Sequence, residues 1–331
     1  MTATARPGAR RAARPPVTCI GETMAALVPE PAAPLEGADH LGVRIAGAES
    51  NVAVYLADHG VSARWVSALG DDPFGRRIRG EVAAAGVDIS GVRTDPHRPT
   101  GLLVKDPGTD STRVHYYRRG SAASALAPDL LDDDAVRSAG LIHLSGITPA
   151  LSPSCRDLVA ALLEPPEAER PCPVSFDVNH RPALWPDGTA PAVLLAFARR
   201  ADITFVGLDE AQALWGEQLR DAAHVRELLP EPRILVVKDG GRAATAFDGP
   251  RAHTVPAPRV EVVEPVGAGD AFAAGFLAGL LRGEDTVRAL RLGHLTAGAA
   301  LRVTGDHGPL PGPERLAALL DAAPEEWASG R

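Results

Sequence analysis

The sequence predicts an α/β fold in which a mostly parallel central sheet lies between layers of helices and carries a small β lid. Three observations predict it: short apolar strands alternate with helical stretches, glycine-rich turns join them, and hairpin-like strand pairs interrupt the alternation. The chain has 331 residues, 45% of them hydrophobic, which is enough for one large α/β domain or two ordinary ones. We find no internal repeat and no interdomain linker.

Composition narrows the class of protein. The formal net charge is -8 and no basic patch lies beyond the amino terminus, so we expect no nucleic-acid partner. No apolar stretch approaches the length that spans a bilayer, so we expect no membrane partner. The three cysteines are odd in number and far apart, which predicts a reducing compartment, the cytoplasm, without structural disulfides or a zinc site. They are Cys19, Cys155 and Cys172.

Both ends of the chain are predicted as tails. Residues 1–16 are rich in Arg, Ala and Pro and have no apolar segment after the arginines, which predicts a disordered tail rather than a signal peptide. Residues 321–331 are mostly polar and predict a C-terminal tail. Between them we expect one domain, residues 17–320, with lid strands within about 22–46 and 97–120.

The lysines exclude one large class of phosphate-binding proteins. The chain has only Lys105 and Lys238, and Asp follows each of them. A Walker A loop needs Gly-Lys followed by Ser or Thr, so this is not a P-loop enzyme. The motifs of protein kinases, zinc metalloproteases, Cys-x-x-Cys redox proteins and Gly-x-Ser-x-Gly hydrolases are missing as well.

Each strand is predicted from a short apolar run bounded by Gly, Pro or Asp, and each helix from apolar spacing between a cap and a glycine. The predicted strands are 17–21, 24–28, 43–45, 64–69, 101–105, 112–119, 141–144, 174–177, 202–206, 233–237, 243–247 and 252–255. The predicted helices start near residues 52, 75, 153, 190, 209, 270, 286 and 316. For the first of them, Ser50 or Asn51 is the expected cap.

The hairpin over residues 101–119 interrupts the alternation of strands and helices and has two interpretations. In one it forms a lid whose aromatic and Arg side chains bind an anionic small molecule, and in the other it is a solvated edge hairpin. Period-two alternation puts two sets of side chains on opposite faces of its second strand. These sets are His115, Tyr117 and Arg119, and Val114, Tyr116 and Arg118.

Residues 267–270 read Gly-Ala-Gly-Asp and precede an apolar run of helical length. Glycines let successive N–H groups point into one space, and the first N–H groups of a helix lack partners at the positive end of its dipole. This predicts a phosphate-binding turn. Asp270 has the wrong sign for simple anion binding, but it fits a base that takes a proton from a hydroxyl while the N–H groups steady a phosphoryl group. On its own, an Asp in this position can also be a cap.

A second group of polar residues follows a predicted strand. Asp177, Asn179 and Arg181 come at the end of strand 174–177, and the carboxyl ends of parallel strands line the ligand crevice of such folds.

Two separated motifs resemble the signatures of the ribokinase-like (PfkB) carbohydrate kinases, over essentially residues 17–320. The first is Gly-Ala-Glu-Ser-Asn-Val-Ala at 47–53, and the second is Gly-Ala-Gly-Asp-Ala-Phe at 267–272. Within that family, residues 116–124, 145–152 and 177–185 resemble the kinases of 2-keto-3-deoxygluconate. The resemblance implies a three-layer α/β/α domain, and an ATP-dependent transfer of phosphate to the terminal hydroxyl of that sugar acid.

The resemblance also implies site residues. Asp270 is the general base, and because we expect its pKa to be near normal, positioning matters more than basicity. Gly267, Ala268 and Gly269 form the anion hole. The acceptor contacts are Gly47, Ala48, Asn51, Tyr116, Arg118, Ile147, Arg181 and Asp270. Arg118 or Arg181 pairs with the substrate carboxylate, and Tyr117 with Arg119 is the alternative register.

ATP and Mg²⁺ are the implied cofactors. The implied nucleotide contacts are Asn179, Arg181, Lys238, Gly240, Gly267, Ala268, Gly269 and His294, with residues 293–300 alongside. Glu210 is expected to hold Mg²⁺ through water, although Gly207 replaces the family's Asn in that motif. Glu264 and Val266 stand where the family often holds a monovalent cation, so K⁺ is a further expectation.

Two alternatives stay open from the sequence. One is a fructokinase or another kinase of a neutral sugar, and the other is a non-catalytic sugar-binding regulator, for which Gly207 is the support. By analogy with the family, we expect a homo-oligomer, a dimer or larger, formed through the lid.

Overall fold

The computed structural model describes residues 15–108, 112–165 and 167–329, and in these the strands form two sheets. The strands are β1 (Val17–Ile20), β2 (Met24–Pro29), β3 (Leu41–Ala46), β4 (Ala63–Gly70), β5 (Val92–Asp95), β6 (Leu102–Pro107), β7 (Thr112–Tyr117), β8 (Leu141–Ser145), β9 (Val174–Asp177), β10 (Ile203–Gly207), β11 (Ile234–Asp239), β12 (Ala243–Asp248) and β13 (Arg251–Pro256). The α-helices are α1 (Ala48–Asp58), α2 (Pro73–Ala84), α3 (Asp134–Arg137), α4 (Thr148–Leu151), α5 (Pro153–Leu163), α6 (Ala190–Arg200), α7 (Leu208–Trp215), α8 (Ala222–Leu228), α9 (Ala268–Arg282), α10 (Thr286–Ala300), α11 (Pro313–Asp321) and α12 (Pro324–Ser329).

The large sheet has the order β13-β12-β11-β10-β9-β8-β1-β4-β5. Neighbouring strands from β11 to β5 pair in parallel, and the β11-β12-β13 edge is antiparallel. Its central strands are apolar and buried at nearly every position, as a parallel sheet covered on both faces requires. The predicted mostly parallel α/β fold is therefore confirmed.

Helices cover both faces of this sheet and create two cores. On one face α1, α9 and α10 pack together, and Phe276 of α9 meets Phe205 of β10 edge to face at 5.6 Å between ring centroids. On the other face α5, α6 and α7 pack, and Phe197 meets Phe176 at 6.0 Å. Helix α9 is buried along most of its length, so its first turn is held rigidly at the carboxyl edge of the sheet.

The small sheet has the order β3-β2-β6-β7. Its parallel β2–β6 pair joins two antiparallel hairpins, so the hairpin at 101–119 is part of a four-stranded sheet rather than an isolated edge hairpin. One face is apolar and buried through Met24, Ala26, Ala46 and Leu103, with Val114 and Tyr116 against it. We call this sheet the lid.

Three local expectations differ from the structure. Helix α1 begins at Ala48 with Gly47 as its cap, not with Ser50 or Asn51, whose side chains donate instead to the Gly47 carbonyl and to Asp270. Glycine is required at 47 because a Cβ there would lie 2.5 Å from the Thr23 hydroxyl. Strand β5 was not predicted, because its only buried residue is Val92 and it has no apolar alternation.

The predicted C-terminal tail contains helix α12, whose Trp327 is only 3% exposed and donates from Nε1 to the Pro256 carbonyl at 2.8 Å. One tryptophan among polar residues gives no periodic signal, which is why residues 321–331 read as a tail. Of the two predicted tails, residues 1–14, 330 and 331 lie outside the described residues.

Candidate active site

A cleft of about 1140 Å³ lies between the lid and the carboxyl edge of the large sheet. This edge is where ligands bind in open α/β sheets. From the lid it is lined by Ala46, Leu103, Lys105, Val114 and Tyr116. From the sheet edge and helix α9 it is lined by Asn179, Arg181, Glu210, Lys238, Gly240, Phe272, His294 and residues 265–270, among others.

Asp270 lies in the first turn of α9 and is 7% exposed. Its two carboxylate oxygens accept from two side-chain amides: Oδ2 from Asn51 at 3.0 Å and Oδ1 from Asn179 at 3.0 Å. Neither the carboxylate nor these amides caps a helix, because the cap of α9 is Gly267 and that of α1 is Gly47. The carboxylate is thus held in one orientation at the wall of the cleft.

The electrostatic surroundings of Asp270 raise its pKa. Burial is the main cause, opposed by the hydrogen bond from Asn51 and by the positive charges of Arg181 and Lys238, while Asp306 adds to the rise. The expectation of a near-normal pKa is therefore wrong, because the sequence did not show how deeply this carboxylate is buried. A raised pKa makes the carboxylate a stronger base than an exposed Asp.

The turn before Asp270 has the geometry that the Gly-Ala-Gly sequence predicts. Gly267 has φ of +82°, in the left-handed region, and it precedes the first helical residue, Ala268. A Cβ at Gly267 would lie 3.1 Å from the Asp306 backbone and side chain. Gly269 borders Lys238, whose Nζ is 3.5 Å from the position of an added Cβ. The N–H groups at the start of α9, of which that of Ala268 donates weakly to the Pro265 carbonyl at 3.4 Å, therefore lie at the same part of the cleft as an ammonium group.

Lys238, at the end of β11, is held by Asp177 at the end of β9, with 2.7 Å between Nζ and Oδ2. Although burial alone would lower the pKa of Lys238, the nearby carboxylates of Asp177 and Glu210 raise it overall, so the ammonium stays charged. This gives the cleft a fixed cation beside the turn of α9, suited to phosphate oxygens.

Glu210 folds back on the start of its own helix. Its Oε2 accepts from the Gly207 N–H at 2.8 Å and its Oε1 from the His180 N–H at 2.9 Å. Glycine at 207 removes a side chain that could reach the cleft, but the backbone N–H still fixes Glu210 at the cleft wall.

Glu210 and its neighbour Asp209 both line the cleft. In the described part of the chain, no three His, Cys, Asp or Glu side chains cluster closely enough to hold a metal by themselves. Two carboxylates at the cleft wall, both hard oxygen ligands, fit a Mg²⁺ ion that is held mostly through water.

His294 lines the far end of the cleft and is 7% exposed. Its Nε2 lies 3.1 Å from the Val255 carbonyl, so this nitrogen carries the proton, and its ring meets Phe272 edge to face at 5.1 Å. Burial lowers its pKa to about 4, so the ring is neutral near pH 7. A neutral aromatic wall beside the small residues Gly298 and Ala297 suits a flat heterocycle such as adenine.

Of the eight predicted acceptor contacts, Tyr116, Arg181 and Asp270 line the cleft, and Asn51 contacts Asp270 without being among the lining residues. Tyr116 faces the cleft, whereas Tyr117 is 64% exposed, because the apolar face of the lid selects alternate residues. Of the first predicted register, Tyr116 lines the cleft and Arg118 does not. Gly47 and Ala48 lie at the start of α1 beside Asn51, and Ile147 is the residue before α4. None of these three predicted contacts is among the cleft-lining residues.

The two predicted arginines differ in their surroundings. Arg181 lines the cleft, and its guanidinium is 4.0 Å from Glu210 and 41% exposed. Arg118 is 9% exposed, does not line the cleft, and its Nε donates to Oε2 of the buried Glu22 at 2.6 Å. Glu22 also accepts from the Ser121 hydroxyl. Arg181 therefore keeps its charge available to a ligand, whereas that of Arg118 is compensated.

Lys105, which lines the cleft, and Asp306, which contacts Asn51, were not predicted as site residues. Lys105 reaches from the lid to Glu264, with 3.2 Å between Nζ and Oε2, and Asp306 accepts from Asn51 at 3.2 Å. A lysine inside an apolar strand is the signal that could have drawn attention to Lys105. Since Glu264 already has an ammonium partner, it does not support the expected K⁺ site.

A buried carboxylate held beside the N–H groups at a helix start, in a cleft that also contains the ammonium of Lys238, fits the phosphoryl-transfer site of a sugar kinase. Residues 15–312 match the pfkB family carbohydrate kinase profile. The chain belongs to this family of carbohydrate kinases.

Three curated relatives cover most of the chain. The 2-dehydro-3-deoxygluconokinase of Bacillus subtilis is 35% identical over 307 residues, covering 92% of this chain and 94% of that protein. The enzyme of the same name from Thermoproteus tenax is 34% identical over 318 residues, with the same coverage. The 2-dehydro-3-deoxygalactonokinase of Haloferax volcanii is 34% identical over 292 residues, covering 87% and 91%.

Solved structures agree with the fold. A PfkB protein from Polaromonas sp. JS666 is 33% identical and superposes with a TM-score of 0.79, covering 88% of this chain and 97% of that one. A fructokinase from Xylella fastidiosa with bound ATP is 25% identical, with a TM-score of 0.75 and coverages of 88% and 94%.

Among the described residues, none of the helices is long and apolar enough to cross a membrane.

Proposed function

We propose that the protein transfers the γ-phosphoryl group of ATP to the terminal hydroxyl of 2-keto-3-deoxygluconate, giving the 6-phosphate. The observation that carries the reaction type is Asp270, fixed by Asn51 and Asn179 in the first turn of α9. The sugar acid is supported by the names of the Bacillus and Thermoproteus relatives and by Arg181 in the cleft. The Haloferax relative is named for the galactonate epimer, so both epimers belong in the test.

In the proposed reaction, Asp270 accepts the proton of the sugar hydroxyl as that oxygen forms a bond to the γ-phosphorus. The bond from phosphorus to the bridging oxygen breaks, and ADP leaves with the electron pair. The N–H groups of Gly267, Ala268 and Gly269 stabilise the charge on the transferring group, a contribution worth about 3–4 kcal/mol for a single donor in other enzymes. The fixed carboxylate also aligns the hydroxyl with the γ-phosphorus, and this alignment is the protein's second contribution to catalysis.

ATP is proposed to lie along the end of β11 and the second half of α10, with phosphates toward Lys238 and the base toward His294 and Gly240. The Xylella fastidiosa fructokinase with bound ATP supports a nucleotide on this scaffold. Glu210 would hold Mg²⁺ through water, with Asp209 beside it, and the ion neutralises phosphate charge when bound.

The substrate carboxylate is assigned to Arg181. Its guanidinium is the partly exposed one of the two predicted arginines, and a fork of two N–H groups matches a carboxylate. Arg118 is proposed to act through Tyr116, since its guanidinium lies 5.7 Å from the centroid of that ring.

The second candidate is a kinase of a neutral sugar such as fructose. The observation in its favour is the Glu22–Arg118 pair, which removes one of the two cations expected for an acid substrate. Two observations speak against a non-catalytic regulator. The amides of Asn51 and Asn179 donate to Asp270, and Glu210 accepts from the Gly207 N–H despite the missing Asn.

The test is ADP release with purified protein over both keto-deoxy acid epimers, fructose, ribose and gluconate, with the product mass measured for each. The proposal expects the highest kcat/KM for a 2-keto-3-deoxy acid and a product heavier by one phosphoryl group. A higher kcat/KM for fructose would favour the second candidate, and no ADP from any sugar would favour the regulator.

The oligomeric state and the cellular location are each proposed from a single observation. The lid's edge strands β3 and β7 expose Leu41 (39%) and Tyr117 (64%), which supports a homo-oligomer formed lid to lid. The three cysteines are buried and free, which supports a cytoplasmic location.

A further inference from the structure

The ammonium of Lys105 crosses from the lid to the body of the protein. Its side chain is 5% exposed, and Nζ lies 3.2 Å from Glu264 and 3.9 Å from Oδ1 of Asp306. Lys105 belongs to lid strand β6, whereas both carboxylates belong to segments that flank α9 and α10. A buried ammonium is stable only when it is paired, so this contact holds the lid against the body.

The same contact continues to the proposed base through one amide. The Nδ2 of Asn51 donates to Oδ2 of Asp306 at 3.2 Å and to Oδ2 of Asp270 at 3.0 Å. The two hydrogens of that NH₂ group therefore go to the two carboxylates. Because both hydrogens are in use, the amide cannot rotate without losing one of them.

Charge explains why Asp306 can serve as the second acceptor. Burial raises the pKa of Asp306, and the ammonium of Lys105 and the hydrogen bond from Asn51 oppose that rise, whereas Glu264 adds to it. With Lys105 in place the carboxylate stays an acceptor for Asn51. Without Lys105, the neighbouring carboxylates of Asp306 and Glu264 would lose the ammonium that they share, and one of them would take up a proton.

We propose that Lys105 is a positioning residue that links closure of the lid to the alignment of Asp270, through Asp306 and Asn51. The lid contacts the sugar side of the cleft through Tyr116, so a sugar that holds the lid closed would also complete the support of the base. This inference rests on the proposed role of Asp270.

The test compares the steady-state kinetics of K105M, K105R, E264Q and K105M/E264Q with the sugar that the panel identifies. We expect K105M to lower kcat about 10- to 100-fold, the loss that small misplacements of a reacting group cause, with the KM for ATP unchanged within about twofold. K105R should recover most of the kcat. K105M/E264Q should be no slower than K105M, because the two residues act as one unit.

The matched control is H115Q. His115 lies on the same hairpin as Lys105, and its Nε2 lies 3.6 Å from Oδ2 of Asp106, with both side chains partly exposed. We expect it to leave both kcat and KM within twofold of wild type.

A measurement that needs no catalysis is amide hydrogen exchange. In K105M, exchange in β6 and at the start of α1 should be faster by about tenfold or more, while exchange in β10 and β11 stays unchanged. Wild-type kcat for K105M, additive losses in the double variant, or unchanged exchange in β6 would each overturn the inference. The sugar panel and D270N decide the proposed function separately.

Discussion

The side-chain amide of Asn51 lies 3.0 Å from a carboxylate oxygen of Asp270, although 219 positions separate the two residues. Each sits in the first turn of a helix, α1 and α9, and these helices pack against each other on one face of the sheet. Their buried contact is therefore what brings both family motifs into one site. The following predictions depend on that arrangement.

Replacing Gly267 with Ala should impair both folding and turnover. The residue has φ of +82°, and the new Cβ would be 3.1 Å from Asp306, so the turn must shift. We expect a loss of about 1–2 kcal/mol in the free energy of unfolding and a kcat lower by at least tenfold. Gly80→Ala on α2 is the control, since its Cβ meets open space. Equal activity of the two variants would contradict the assignment of this turn.

Arg181 and Arg118 should respond differently to removal. Arg181→Met should raise the KM for a sugar acid about tenfold or more and leave the KM for neutral sugars alone, because it removes one exposed partner of a carboxylate. Arg118→Met should instead lower the free energy of unfolding by about 3–5 kcal/mol, because it strands the buried charge of Glu22. Denaturant unfolding and initial rates separate the two effects. The reverse pattern would assign the substrate carboxylate to Arg118.

Buried histidines should make stability depend on pH. Burial lowers the pKa of His59 from 6.5 to about 4, and its Nε2 lies 2.8 Å from the Thr296 hydroxyl. Between pH 6.5 and about 4 the unfolded chain binds a proton that the native chain does not, so stability falls as the pH falls. The slope for this one group is at most about 1.4 kcal/mol per pH unit. His59→Gln should flatten the unfolding profile in that window, and an unchanged slope would contradict a neutral, buried His59.

Replacing Trp327 should change the KM for ATP rather than the KM for the sugar. Its ring lies 6.3 Å from that of His294, and its Nε1 fixes the Pro256 carbonyl, so it supports one wall of the proposed adenine site. Trp327→Ala should raise the KM for ATP about fivefold or more, without a matching rise for the sugar. Trp215→Ala is the control, since Trp215 makes a similar bond to Pro191 at 2.9 Å on the other side of the sheet. Parallel effects of the two variants on the KM for ATP would argue against this support.

Local sequence signals were enough for every described strand except β5, for eight of the twelve described α-helices and for the turn before Asp270. Helices α3, α4 and α8 were not predicted, because helices of 4, 4 and 7 residues are too short to show a helical period. Apolar runs and glycines act over a few residues, so they are visible without the fold. Strand β5 and helix α12 lack such signals and depend on tertiary packing, through Val92 and Trp327.

Partners that are distant in sequence could not be predicted from it. Arg118 has the same local appearance whether it faces a ligand or Glu22, 96 positions away. The Lys105–Glu264 contact spans 159 positions, and neither residue type reveals its partner. The raised pKa of Asp270 likewise follows from burial by elements that the sequence order keeps apart.

The most direct test of the central claim is the single-turnover rate of sugar phosphorylation by Asp270→Asn, with ATP and sugar binding measured on the same preparation. The account predicts a rate about 10²–10⁴-fold below wild type, with both dissociation constants within a few-fold, because only the proton acceptor is removed. A rate within tenfold of wild type would contradict the role of Asp270 as the base.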